Sequence, residues 1–193
     1  MKVGANQTHQ FLIFKGVIMF KEERSKPTFS WDLLGDVELG RPNLGRTTDV
    51  AVYRLMQFTL RDILISKHGV QSADEIFYEA GLLAGKQFYI NVIRAKEDFN
   101  SFVADLQMAL KTLNIGILRV ESFSTDGKSL TLTVAEDLDC SGLPLCEEQI
   151  CTYDEGFIAG LLSEHTGHSW AVKEVDCWCS GDRVCRFKAN QID

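Results

Sequence analysis

The chain has 193 residues, of which 45% are hydrophobic and 24% are charged, as is usual for a protein with a buried core. Its net charge of −7, without any cluster of lysines and arginines, argues against nucleic acid as a direct partner. No apolar run reaches the ~18 residues that a membrane span needs, and no secretory signal is recognisable, so we expect a cytoplasmic protein that does not contact membranes.

The first 45 residues predict strands followed by an irregular connection. The segment HQFLIFKGVIMFKEE, residues 9–23, is short and apolar with Lys15 and Gly16 at its centre, which is typical of a strand pair or one bent strand. Residues 25–46 contain two prolines and three glycines, so they predict a connection with little buried surface of its own.

Residues 46–114 predict a layer of three helices. In the first helix, capping residues at 47–49 precede a series of apolar residues at helical spacing, and Gly69 provides a stop. The second begins with Ser72 and Glu75 at capping-box spacing, and its apolar residues nearly encircle it, so we expect it to be heavily buried. The third, residues 96–114, is amphipathic. The apolar series of the first helix comprises Val52, Leu55, Met56, Leu60, Ile63 and Leu64.

From residue 115 the pattern changes to β-β-α-β-β. Two strand-like segments flank Asp126 and Gly127, a hairpin signal. A helix then runs from about Cys151 to His165, and a second hairpin ends the chain. This order predicts an α+β fold with a helical layer packed on an antiparallel sheet. We expect one domain over residues 1–193, with strands and connection in 1–45, helices in 46–114 and the sheet in 115–193.

The stretch KEVDCWCSGDRVCRF, residues 173–187, indicates a metal site. Cysteines of a cytosolic protein are more naturally metal ligands or redox thiols than disulfides. Cys151 begins a helix, whereas Glu174, Cys177 and Cys185 lie on the terminal hairpin, and zinc accepts sulfur or carboxylate ligands in a tetrahedron. Glu174 and Cys177 are three apart, so both can face one ion only if a bulge lies near Asp176. By spacing alone, small buried thiols near a turn are the alternative.

This part of the chain resembles the 4-vinyl reductase domain family, found alone in archaea and as the effector-sensing module of aromatic-responsive bacterial activators. The resemblance implies one structural Zn²⁺ bound by Cys151, Glu174, Cys177 and Cys185, with no position left for a catalytic water. It also implies a fold like that of the vesicle-tethering TRAPP subunits, and a homodimer. The residues that carry the resemblance are Gly156, Gly160, Glu174, Cys177, Gly181, Asp182, Cys185 and Phe187.

The remaining cysteines, Cys140, Cys146 and Cys179, lie outside this predicted ligand set. Cys140 and Cys146 precede Cys151 in a loop, where they are either redox-active thiols or simply free thiols. Gly81 and Gly85, four residues apart, allow close approach of another helix, either within the chain or across a dimer.

Aromatic residues of the helices and of the sheet predict an apolar ligand cavity between the two layers, where the related family holds its ligands. The alternative is a filled core. The histidine and tryptophan that hold phenol in the aromatic sensors are not identifiable, so phenol specificity is not implied. The candidate pocket residues are Phe77, Phe88, Phe99, Phe102, Phe157 and Trp170.

These features favour a zinc-stabilised sensor module that binds a small apolar molecule, such as a hydrocarbon, or an aromatic one. Since no DNA-binding segment is recognisable, its output would pass through a downstream partner protein. The alternatives are an enzyme related to tetrapyrrole vinyl reductases and a non-catalytic scaffold like the tethering subunits. The sequence has no glycine-rich nucleotide loop and no recognisable catalytic triad, so the enzyme is the weaker hypothesis.

Overall fold

A computed structural model describes residues 20–95 and 97–193. The strand expected at residues 9–23 falls almost wholly outside the described residues. Residues 25–46 are largely irregular, as predicted, but they include a 3-10 turn at Trp31–Leu34 and a short helix, α1, at Val37–Gly40.

Three helices follow: α2 at Val50–His68, α3 at Val70–Asn91 and α4 at Phe99–Thr112. The Asp49 side chain accepts a hydrogen bond from the Ala51 amide and so caps α2. Only Gly69 separates α2 from α3, and its φ of 82° is one that glycine adopts without strain. The capping box predicted at Ser72 is therefore wrong: α3 begins before it, because Gly69 turns the chain by its own conformation.

The C-terminal half is a four-stranded sheet with one helix, as the sequence predicts. The strands are β1 at Ile117–Phe123, β2 at Ser129–Ala135, β3 at Trp170–Asp176 and β4 at Cys185–Gln191, in the spatial order β1-β2-β4-β3 and antiparallel throughout. Helix α5, at Thr152–Thr166, connects β2 to β3. The predicted α+β class with an antiparallel sheet is confirmed.

Helix α5 packs closely on α3 because glycines face carbonyl groups across the contact. A Cβ atom at Gly81 would lie 2.0 Å from the Tyr153 carbonyl oxygen, and one at Gly85 would lie 2.1 Å from that of Phe157. The sequence left open whether these glycines pack against a helix of the same chain or across a dimer. The structure shows that they pack within the chain. This contact holds the first turn of α5, and with it Cys151, against the helical layer.

Helix α2 is the least buried of the long helices. Its apolar series points mostly to solvent: Leu55 is 66% exposed, Met56 63% and Val52 58%. Helix α3 is also less enclosed than its sequence predicts, since Ile76 and Ile90 are exposed. Among the described residues, no helix is both long and apolar enough to cross a membrane.

Candidate metal centre and ligand pocket

Four buried cysteine thiols lie together where the start of α5 meets the β3–β4 hairpin. The sulfur of Cys151 is 3.9 Å from that of Cys177 and 3.8 Å from that of Cys185, and the sulfur of Cys140 is 3.0 Å from that of Cys185. All four sulfur atoms lie within 4.8 Å of one another, and none of these cysteines forms a disulfide.

The spacing around Cys151 is that of ligands on a single tetrahedral ion. Zinc bound to sulfur at about 2.3 Å holds its ligands roughly 3.8 Å apart, which is the spacing of Cys151 from Cys177 and Cys185. The distance of 3.0 Å between the sulfur atoms of Cys140 and Cys185 is shorter than this. A cluster of several iron atoms would spread its thiolates over different metal atoms and so hold them farther apart.

Two secondary-structure features bring the thiols together. Cys151 is the N-cap residue of α5, and Cys177 and Cys185 flank the turn between β3 and β4. The register of β3 against β4 shifts between Glu174 and Asp176, which is the bulge that the sequence required near Asp176. The shift lets the end of β3 turn Cys177 toward the same side as Glu174.

Glu174 lies beside the thiols as a buried carboxylate. Its Oε2 accepts a hydrogen bond of 3.1 Å from the Cys151 amide, whereas its Oε1 has no hydrogen-bond partner among the described residues. Burial, together with the negative charge of Cys177, raises the pKa of Glu174 to about 8. The structure therefore brings the predicted cysteines Cys151, Cys177 and Cys185 together with Cys140, while Glu174 lies beside them on the amide of Cys151.

The thiols strongly influence one another's protonation. Hydrogen bonds from the neighbouring thiols, that of Cys140 foremost, hold the pKa of the Cys177 thiol well below its ordinary value. Hydrogen bonding to Cys140 is also the largest cause that raises the pKa of the Cys151 and Cys185 thiols. A bound divalent cation would favour the thiolate at every ligand.

Sequence reasoning left Cys140 outside the cluster because no regular element carries it. Its position follows from the segment 137–141 after β2, which α2 holds by hydrogen bonds. Arg54 donates to the carbonyl oxygens of residues 137, 138 and 141, at 3.3, 2.7 and 2.9 Å. The hydroxyl of Tyr53 and the amide of Gln57 donate to the two carboxylate oxygens of Asp139, at 2.8 and 2.6 Å.

An apolar pocket with a volume of about 300 Å³ lies between α3, α5 and residues 29–34, and Leu138 and Asp139 also line it. Its apolar wall includes Trp31, Phe88 and Phe157, and the rings of Phe88 and Phe157 meet edge to face at 5.3 Å. Asp154 lines it as well. Burial raises the pKa of Asp154 well above its usual range, and its Oδ2 has no hydrogen-bond partner among the described residues.

The six aromatic residues predicted to share one cavity fall into separate places. Phe88 and Phe157 line the 300 Å³ pocket, and Phe77 lines a neighbouring pocket of about 180 Å³ between α2 and α3. Phe99 and Phe102 instead pack around His165, with the Phe102 ring stacked on the imidazole at 4.3 Å. Trp170 is buried, and its indole N–H donates to Thr166 at 2.8 Å.

Cys146 and Cys179 lie outside the four-thiol cluster but near each other. The Cys146 amide donates to the Cys179 carbonyl oxygen at 2.8 Å; Cys146 is exposed and Cys179 is buried. Burial, followed by the negative charges of Cys177 and Cys146, raises the pKa of Cys179 to about 12.

Residues 130–191 match the 4-vinyl reductase domain family, which bears out the resemblance seen in the sequence for this part of the chain. Among solved structures, a vinyl-4-reductase family protein of Methanocaldococcus jannaschii superimposes with a TM-score of 0.57 at 18% identity, over 87% of this chain and 100% of that chain.

Two further structures share the fold. The phenol-responsive sensory domain of the transcription activator PoxR, solved with phenol, has a TM-score of 0.59 at 14% identity, over 76% of each chain. A trafficking protein particle complex subunit 3 from Naegleria fowleri, covalently bound to palmitic acid, has a TM-score of 0.59 at 14% identity, over 75% of this chain and 95% of that chain. The predicted likeness to the tethering subunits is confirmed at the level of the fold.

Proposed function

We propose that this protein, whose residues 130–191 match the 4-vinyl reductase domain family, is a metal-stabilised module that binds a small apolar or aromatic molecule. The observation that carries the proposal is the 300 Å³ pocket with aromatic walls between α3 and α5. Its volume lies at the lower end of the range of about 300–1,000 Å³ that is usual for small-molecule sites. The PoxR sensory domain, which has the same fold, is responsive to phenol.

The lining of the pocket restricts the ligand. The described residues around it include no lysine, arginine or histidine, and its acidic members are Asp139 and Asp154, whose pKa values burial raises. An anionic ligand would find no cation to compensate its charge there, and an uncompensated charge is costly in a poorly solvated pocket. An uncharged ligand that donates a hydrogen bond suits this lining better, since carboxylate oxygens are acceptors.

Zinc is the metal that we propose for the cysteine cluster, with the thiolates of Cys151, Cys177 and Cys185 as three ligands. The fourth position has two candidate donors, Glu174 and Cys140. Protein side chains would fill every position, so the ion supplies structure rather than a reactive water. The three named thiolates would join the start of α5 to both sides of the β3–β4 turn.

We also propose that the protein forms a homodimer and acts on a downstream protein. The apolar series on α2 supports the dimer, because a contiguous exposed apolar surface of this kind is typical of interaction sites. Two copies of one amphipathic helix can bury such a surface against each other in a two-fold interface.

The ligand proposal is tested by native mass spectrometry of protein purified without added ligand, followed by titration with phenol as a defined probe. We expect a bound small molecule or saturable phenol binding. The variant Ala84→Phe fills the 300 Å³ pocket and should abolish binding, whereas Ala80→Phe, on the same helix but facing the neighbouring pocket, should retain it. Equal binding by both variants, or no binding by the unmodified protein, contradicts the proposal.

A further inference from the structure

Five possible donor groups lie near one another in the cluster, but a tetrahedral ion binds only four ligands. Cys151, Cys177 and Cys185 are common to every arrangement, so the open question is whether Glu174 or Cys140 completes it. The set of donor atoms that all lie within 4.8 Å of one another consists of the four thiols. Cys140 is fully buried, and its nearest sulfur neighbour is Cys185, at 3.0 Å.

Glu174 has a second role that its geometry already satisfies in part. Its Oε2 accepts the hydrogen bond from the backbone amide of Cys151. The adjacent backbone amide of Glu174 donates to Glu155 of α5 at 2.8 Å. These two bonds join β3 to α5 beside the cluster, and carboxylates in such positions commonly orient the groups that bind a metal.

We propose that Cys140 is the fourth metal ligand and that Glu174 is a positioning residue that holds Cys151 through its amide. This inference rests on the proposed binding of a metal by the cluster. The resulting all-thiolate set matches the preference of zinc for sulfur ligands. Each thiol that binds the ion loses its proton to solvent.

Ligation by Cys140 joins the metal centre to the ligand pocket. Asp139, the residue before Cys140, lines the pocket and is held by Tyr53 and Gln57 of α2. The Oδ1 atom of Asp137 accepts hydrogen bonds from the amides of Asp139 and Cys140, at 2.8 and 3.1 Å, and these bonds tie the two residues to one turn. A molecule that displaces Asp139 therefore also displaces the fourth ligand.

This arrangement assigns a means of regulation to the proposed module. The other three thiolates lie on α5 and the β3–β4 hairpin, whereas Cys140 lies on a segment that is anchored to α2. Occupancy of the pocket can thus change the strength of one metal–ligand bond while the rest of the site stays in place. By the reciprocity of linked equilibria, a bound metal would change the affinity of the pocket by the same factor.

X-ray absorption spectroscopy of the zinc-loaded, unmodified protein tests the ligand set directly. We expect four sulfur neighbours at about 2.3 Å. Three sulfur neighbours and one oxygen neighbour would overturn the assignment of Cys140 and leave the metal proposal intact. Failure of the protein to bind any zinc would overturn both proposals.

Cobalt substitution provides a test with variants, because thiolate-to-cobalt charge-transfer absorption reports the thiolates that bind the ion. Cys140→Ser should lower this absorption by about a quarter, since one of four thiolates is lost. Glu174→Gln should keep the full intensity, because the variant retains the oxygen that accepts from Cys151. The exposed thiol of Cys146 provides the matched control, Cys146→Ser. Unchanged absorption in Cys140→Ser with a changed spectrum in Glu174→Gln contradicts the assignment.

The link to the pocket is tested by the rate at which zinc passes from the protein to a chelator. Filling the pocket with Ala84→Phe should raise this rate about tenfold relative to the unmodified protein, because it would displace Asp139, and loss of the support of a metal ligand commonly has an effect of this size. Ala80→Phe, which faces the neighbouring pocket, should leave it unchanged. Equal rates in the two variants would overturn the link and leave the four-thiolate assignment standing on the absorption data.

Discussion

Gly156 of α5 lies directly against the backbone carbonyl group of Tyr78 in α3: a Cβ atom at Gly156 would be only 2.0 Å from that oxygen. Gly160 repeats the relationship one turn later, at 2.3 Å from the carbonyl oxygen of Leu82. Both sides of the contact are helical backbone, which cannot yield as a flexible side chain can. The position of α5, and therefore of Cys151, depends on these glycines.

Replacing Gly156 by alanine is accordingly expected to lower the free energy of unfolding by about 3 kcal/mol or more, because the added methyl group must push two helices apart. Urea denaturation measures the change. Gly40→Ala is the matched control: nothing lies within 4 Å of a Cβ atom there, so its effect should stay within about 0.5 kcal/mol. Equal effects of the two substitutions would show that the helices tolerate separation.

If the cluster binds zinc, replacing a buried cysteine of the cluster should affect zinc binding and stability more than replacing an exposed cysteine outside it. Cys185→Ser removes a thiolate from the cluster and should lower the zinc retained after dialysis well below one ion per chain, with a lower melting temperature. Elemental analysis and thermal unfolding measure these changes. Cys146→Ser should retain both the metal and the stability, since Cys146 is exposed and outside the cluster. Full zinc retention by Cys185→Ser would argue against this centre.

The hydroxyl of Tyr53 stabilises the buried carboxylate of Asp139. Tyr53→Phe should lower the free energy of unfolding by about 1–3 kcal/mol, because a carboxylate oxygen loses its donor while it stays buried. The control is Thr59→Ala on the same helix, whose hydroxyl bonds to the Leu55 carbonyl oxygen in an exposed position. Chemical denaturation measures the free energy of unfolding of both variants. Equal stability of Tyr53→Phe, Thr59→Ala and the unmodified protein would contradict the prediction.

The exposed apolar series of α2 is the proposed dimer surface, so a charge placed in it should disrupt the dimer. Leu55→Asp places a charge in the exposed apolar series and should convert the proposed dimer to a monomer, since the charge would lose its hydration in the interface. Light scattering coupled to size-exclusion chromatography measures the mass. Leu145→Asp is the control, because Leu145 is 75% exposed in the loop before α5. A monomeric unmodified protein would refute the α2 interface.

We expect His165 to make the stability of the folded protein sensitive to acid. Burial among aromatic rings lowers its pKa from the ordinary 6.5, although the nearby Asp98 carboxylate opposes this effect. The unfolded chain therefore binds the proton more readily than the folded one, and the contribution of His165 to stability is lost as the pH falls through the unfolded-state value.

Denaturation midpoints measured from about pH 8 to about pH 5 should fall less steeply in His165→Phe than in the unmodified protein. The comparison of the two proteins isolates His165 from Asp137, whose pKa burial raises to about 7 and which acts with the opposite sign. An NMR titration of His165 above its ordinary pKa would contradict the prediction.

The elements of this protein follow from local patterns in its sequence. Asp49 and Asp98 cap their helices, Gly127 turns the first hairpin with a φ of 73°, and Gly167 ends α5. Such signals act within a few residues, so the sequence alone predicts the α+β order. The set Cys151, Glu174, Cys177 and Cys185 is instead implied by the resemblance to a family, and of this set the structure brings the three cysteines together and places Glu174 beside them.

Only the tertiary structure decided that Cys140 joins the thiol cluster and that the apolar series of α2 is exposed to solvent. Cys140 lies in an irregular segment, and it reaches the cluster because Arg54, Tyr53 and Gln57 hold that segment from a helix more than 80 residues earlier in the chain. The apolar series of α2 looks like a core face in the sequence, yet no described element covers Leu55. Periodicity determines which residues share a face of a helix, but only the packing of distant elements determines what that face meets.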